Sequence, residues 1–141
     1  MPNDYIGLQY PLEKTSRGLL AQSRGVDQIK ADLLQLLLTN PGECVMLPTF
    51  GTPLKKLFFE PNDQTLEMEA RRIVATAIEQ WEPRIEIQNI SITSSYSSSD
   101  LATNDPGDDR EHILGIKIDF FDPENISQLE ELTLEMPTGG N

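Results

Sequence analysis

The stretch from Leu66 to Trp81 constrains this chain most. Leu66, Ala70, Ile73, Val74, Ala77, Ile78 and Trp81 recur at helical spacing, and Pro83 stops the pattern. A stripe of that kind has one face that must be buried, and the residue before a proline is pushed out of helical geometry. The spacing predicts an amphipathic helix over 66–81, capped by Asn62 or Asp63, with Glu67 and Arg71 one turn apart on its outer face. A second helix is expected over 26–38, where Val26, Ile29, Leu33, Leu36 and Leu37 form a stripe that Leu34 and Leu38 widen. Pro41 and Gly42 end it.

Downstream the period changes from helical to two. Ile85 and Ile87 alternate, as do Ile90 and Ile92, but the pairs are out of phase, which predicts a bulge near Gln88–Asn89. Leu114, Ile116, Ile118 and Phe120 alternate strictly and predict a second strand. Leu132, Leu134 and Met136 offer a possible third. Between the helices, "CVMLPTFGTPLKKLFFEPND" suits a brief strand near Val45, a turn at Pro48 to Gly51 and a short helical piece over Leu54 to Phe58. The expected fold class is α+β: two main helices packed on a small, mostly antiparallel sheet with an edge open to partner strands. An extended arm over 1–25, a domain over 26–121 and an acidic tail over 122–141 are the expected divisions.

With 141 residues the chain can bury one core. Its net charge of −12 is uneven: residues 91–141 hold 11 acidic and 2 basic residues, whereas 1–90 hold 12 and 9. That balance argues against nucleic acid or an anionic membrane as partner, because nothing offsets phosphate repulsion. The start, "MPNDYIG", lacks the pattern of a secretory signal, and no apolar run approaches the ~20 residues of a membrane span. Cys44 is the sole cysteine, so no intrachain disulfide is expected.

Chemistry-bearing patterns are sparse. His112, the only histidine, adjoins Glu111 at a strand entry and reads as solvent-facing. One His and one Cys do not make a zinc site. The cluster Asp105, Asp108, Asp109 and Glu111 lacks the ligand spacing of a calcium loop. Neither metal nor cofactor is expected. A glycosidase needs two carboxyls roughly 5–10 Å apart, one with a raised pKa, and Glu82 is the best single candidate. Arg84 beside it would lower that pKa if the two pair. Glu82, Pro83 and Arg84 therefore admit two readings: an internal pair closing the helix C-terminus, or a guanidinium held outward by the proline to bind a partner.

Gly7 with "YPL" at 10–12, "LLLTNPGE" at 36–43, "PTFGTPLKKLFFEPND" at 48–63 and "WEPRIEI" at 81–87, in that order, resemble the gene-25-type baseplate wedge family of contractile phage tails. Its relatives include sheath-initiator subunits of type VI secretion-like machines. The family commonly has an arginine after "PGE", where this chain has Cys44. The resemblance implies a structural protein of a virion tail baseplate, assembled in the host cytoplasm in several copies, six by family expectation. It implies Glu82, Pro83 and Arg84 as the motif docking on a core bundle of other wedge subunits. It also implies a sheet that receives arms of the tail sheath protein. By strand addition, those arms would meet the ribbon carrying Ile85, Ile87, Leu114, Ile116, Lys117, Ile118 and Phe120, flanked by acidic segments that favour a basic arm. The alternative, a peptidoglycan-degrading lysozyme-like hydrolase, is a label the family has also carried.

Overall fold

The structure is a computed structural model that describes residues 6–59, 64–96, 112–123 and 126–138. In chain order it contains β1 (Ile6–Leu8), β2 (Gln22–Arg24), α1 (Gly25–Leu38), a 3-10 helix (Pro53–Phe59), α2 (Gln64–Trp81), β3 (Glu86–Tyr96), β4 (His112–Phe121) and β5 (Leu129–Thr138). The expected caps, Asn62 and Asp63, lie outside the described residues, as does the acidic cluster 105–111.

Both helices form where the apolar spacing places them, and they bury that stripe against one face of an antiparallel sheet ordered β3-β4-β5. Leu33, Leu36, Val74 and Ile78 meet Ile92, Leu114, Ile116, Ile118 and Phe120 in a single core. The register shift falls between Ile87 and Asn89. Because of it, Ile87 stands opposite Phe120 and Ile90 opposite Ile118, so two isoleucine pairs that are out of phase in sequence both serve the core side.

Two expectations are corrected. The first concerns Leu114, Ile116, Lys117, Ile118 and Phe120, expected at an edge open to a sheath arm: within the 85–93/113–121 ribbon only β3 keeps an open edge. β5 pairs along the whole of β4, from His112↔Thr138 to Phe121↔Leu129, so β4 is the central strand and its backbone is bonded on both sides. Leu132 and Met136 are buried on the helix side while Glu131, Thr133 and Glu135 point to solvent, and this alternation is what ties the strand down. The open edges are the outer sides of β3 and β5. The second concerns Val45, where a brief strand was expected. Residues 41–49 instead form successive turns, with Val45 90 % exposed and the Leu47 amide donating to the Cys44 carbonyl. Prolines on both sides of so short an apolar run leave it no partner strand.

The "FGT" that follows has a definite task. Thr52 is buried and its hydroxyl donates to the Leu37 carbonyl at 2.9 Å, while its amide donates to the Thr39 carbonyl at 2.8 Å. The C-terminal carbonyls of α1 are thus satisfied from a distant loop. Gly51 has φ +112°, and a Cβ there would lie 2.3 Å from the Thr39 oxygen, so no other residue lets the loop approach. The loop's position is set by this lock, and with it the wall of the groove described next.

Candidate functional site

α2 ends with the Glu82 amide donating to the Ile78 carbonyl at 2.8 Å, and Pro83 then turns the chain away. That turn folds Arg84 back onto Glu82, a residue only 5 % exposed. Arg84 Nε donates to Glu82 Oε1 and Nη2 to Oε2, a two-pronged bond within the motif itself. Nη2 also donates to Asp32 Oδ2 of α1 at 2.7 Å. The Glu82 bonds, then the Asp32 bond, hold the guanidinium above its ordinary pKa against the opposing effect of partial burial. The internal pairing is therefore present, and it adds a carboxylate from the other helix.

This clasp forms one wall of a groove of about 360 Å³. Asp32, Gln35 and Leu36 of α1 line it together with Cys44, Leu47 and Phe50 of the intervening loop, and Trp81 closes its end. Phe50 meets Trp81 edge to face, with ring centroids 5.3 Å apart. The groove thus has an apolar floor and a charged rim.

The other sequence candidates lie elsewhere. Leu114, Ile116, Ile118 and Phe120 are buried core residues of β4, and Ile85 and Ile87 pack partly buried beside them. Lys117 points to the opposite, open face, 2.8 Å from Glu131 and 4.0 Å from Asp119. None of these strand residues lines the groove beside Glu82 and Arg84. Asp32, Leu47 and Phe50 were not singled out from sequence. Asp32 carried one faint signal, a charge on the polar face of a helix four residues from Gln28. Among the described residues no group of three or more His, Cys, Asp and Glu side chains could hold a metal, and no helix is long and apolar enough to cross a membrane.

The family model for baseplate wedge protein gp25 matches residues 23–120, which takes in both helices, the groove and the β3–β4 pair. The chain belongs to the gp25 baseplate wedge family. It is a baseplate wedge component of a contractile tail. Solved structures share the gp25 fold. A chain of the anti-feeding prophage baseplate superposes with a TM-score of 0.62 at 15 % identity, covering 96 % of this chain and 87 % of that one. A chain of the postcontracted pyocin R2 baseplate gives 0.50 at 16 % identity, covering 91 % and 99 %. A Geobacter sulfurreducens protein provisionally named a tail lysozyme gives 0.59 at 24 % identity, covering 79 % and 89 %. No curated protein matches the chain by sequence.

Proposed function

We propose that the groove beside the Glu82–Arg84 clasp is the surface by which this gp25-family subunit docks on the helical core of the wedge. The observation that carries the reading is the union of an apolar floor with an oriented guanidinium on a rim built by both helices. Leu47 is half exposed on that floor, and part of the Arg84 side chain stays accessible. An apolar side chain of a partner helix fills such a space, and the rim fixes its orientation.

The sheet has a separate role in the same proposal: it accepts a basic arm of the tail sheath protein by strand addition at the outer edge of β5. β5 runs in unbroken register with β4, whereas the bulge in β3 guards the other edge. Pro137 lies within β5, a residue that sheets tolerate on edge strands. Glu131 and Glu135 face outward and favour a basic arm over a second copy of this acidic chain. Assembly in the host cytoplasm and the presence of several copies, six by family expectation, belong to this reading.

The same geometry supports a non-enzymatic role in this reading. Both Glu82 oxygens accept from Arg84, so neither is placed to protonate a glycosidic oxygen. The second carboxylate, Asp32, shares that guanidinium, and the cation stands between the two groups a hydrolase would need on either side of a sugar.

Hydrogen exchange of the free chain, of its complex with wedge core subunits and of the complex with sheath added tests both halves. Residues 44–50 and 81–84 are expected to gain protection on wedge binding, and 129–138 on sheath addition. Unchanged exchange at 44–50 in the wedge complex would sink the docking face.

A further inference from the structure

A chain of polar side chains runs from the clasp along one face of α1 to its N-terminal end. Asp32 gives one oxygen to Arg84 and, through Oδ1, accepts from Gln28 Nε2 at 2.7 Å. Gln28 is 6 % exposed, and its Oε1 accepts from the Ser23 hydroxyl at 2.5 Å. Ser23 is in β2, and its cross-strand partner in β1 is Gly7. A Cβ at Gly7 would lie 2.4 Å from Gln28 Nε2, so the bare backbone of Gly7 covers the amide from the other strand. One rung of the β1–β2 ribbon therefore holds the Gln28 amide from both strands, by a hydroxyl on one and by close contact on the other.

We infer that Gln28 is a positioning residue for the docking motif, and that the β1–β2 ribbon acts through it. The inference rests on the docking reading above. Asp32 is one third exposed and, without the Gln28 donor, is free to turn its carboxylate to water. The held amide occupies one Asp32 oxygen and directs the other at Arg84 Nη2. Arg84 is then held by a carboxylate of α1 as well as by Glu82, which is only two residues away. A two-point hold defines the plane of the guanidinium, and that plane is what a partner must match. This also gives the short ribbon of residues 6–24 a function that its small area of pairing does not suggest.

The test uses the full chain with Gln28→Met, which keeps length and loses the donor, and Gln28→Glu, which keeps shape but turns the donor into an acceptor beside Asp32. Solvent exchange of the Arg84 Nε–H, followed by nitrogen-resolved NMR, is expected to quicken several-fold in both variants. Affinity for purified wedge core subunits is expected to fall about fivefold to tenfold, the loss for one hydrogen bond in a charged network. Far-UV dichroism, unchanged, shows that the fold persists. An Arg84 signal that behaves as in the parent chain in both variants overturns the inference. A Gln28→Glu variant that matches the parent while Gln28→Met does not also overturns it, because packing rather than the donor would then be responsible. If the Arg84 signal changes but wedge affinity does not, the failure lies in the docking reading, and the absence of protection at 44–50 in the exchange experiment identifies it independently.

Discussion

Arg84 with Glu82 and Asp32, and Lys117 with Glu131 and Asp119, have the same composition, one cation and two carboxylates, in opposite surroundings. The first lies between two helices over a buried carboxylate. The second lies on the open face of the sheet, with Lys117 and Glu131 about half exposed. In the first, the planar guanidinium makes a two-pronged bond and reaches a second carboxylate at 2.7 Å. In the second, a lysine meets one carboxylate at 2.8 Å and the other only at 4.0 Å. What separates them is the cost of being left alone. Glu82 is buried, so water poorly replaces a lost partner, whereas Glu131 is about half exposed and stays hydrated.

The largest expected effect breaks the first cluster. Arg84→Ala leaves the Glu82 carboxylate buried without its partner and is expected to cost about 2–3 kcal/mol, read as a drop of roughly 10 °C in melting temperature. A variant that melts with the parent would show the Glu82 carboxylate to be solvated and would erase the contrast. Lys117→Ala is the matched experiment on the sheet. It is expected to leave the urea midpoint almost unchanged, with any small effect vanishing in high salt. Lys117→Pro, by contrast, strikes a strand bonded on both sides and is not a clean probe of edge addition.

The smallest effect concerns pH. The hydrogen bond from Lys117 holds the Glu131 carboxyl below its ordinary pKa, and that from Lys30 does the same for Glu130. A carboxyl with a lowered folded pKa binds its proton more readily in the unfolded chain. Its stabilising contribution is complete above the unfolded value and is lost as pH falls through the folded one. Melting temperature is therefore expected to decline between about pH 5 and pH 3. Lys117→Ala should flatten that decline slightly, since it removes the largest cause of the lowered Glu131 pKa while the Thr133 hydroxyl and Lys30 remain; an identical slope would remove the exposed cluster from the account.

The reach of the sequence differs between these clusters for a physical reason. A helix or strand announces itself by local period, because each buried side chain must recur on one face. The stripe from Leu66 to Trp81, the strict alternation from Leu114 to Phe120 and the phase slip at Gln88–Asn89 were all legible in that way, and with them the α+β class. The order of "YPL", "PGE", "FGT" and "WEPRI" carried the family resemblance for a related reason: each marks a place where the backbone turns or approaches another element closely. Gly51 against the Thr39 carbonyl is such an approach.

Three things only the tertiary structure decided. Pairing partners are one. β5 covers the edge of β4, which no local pattern in "LEELTLEMPT" specifies, because hydrogen bonds between strands are indifferent to side-chain identity. The groove is another, since Leu36, Phe50 and Trp81 come from three separate stretches brought together by core packing. The last is the role of Asp32, 52 residues from Arg84 in sequence. By itself it was one more carboxylate in an acidic chain. It became a partner of Arg84 only when the two helices, each driven to bury its own stripe, came to rest with their polar margins side by side, where an ion pair across the seam replaces two solvated charges.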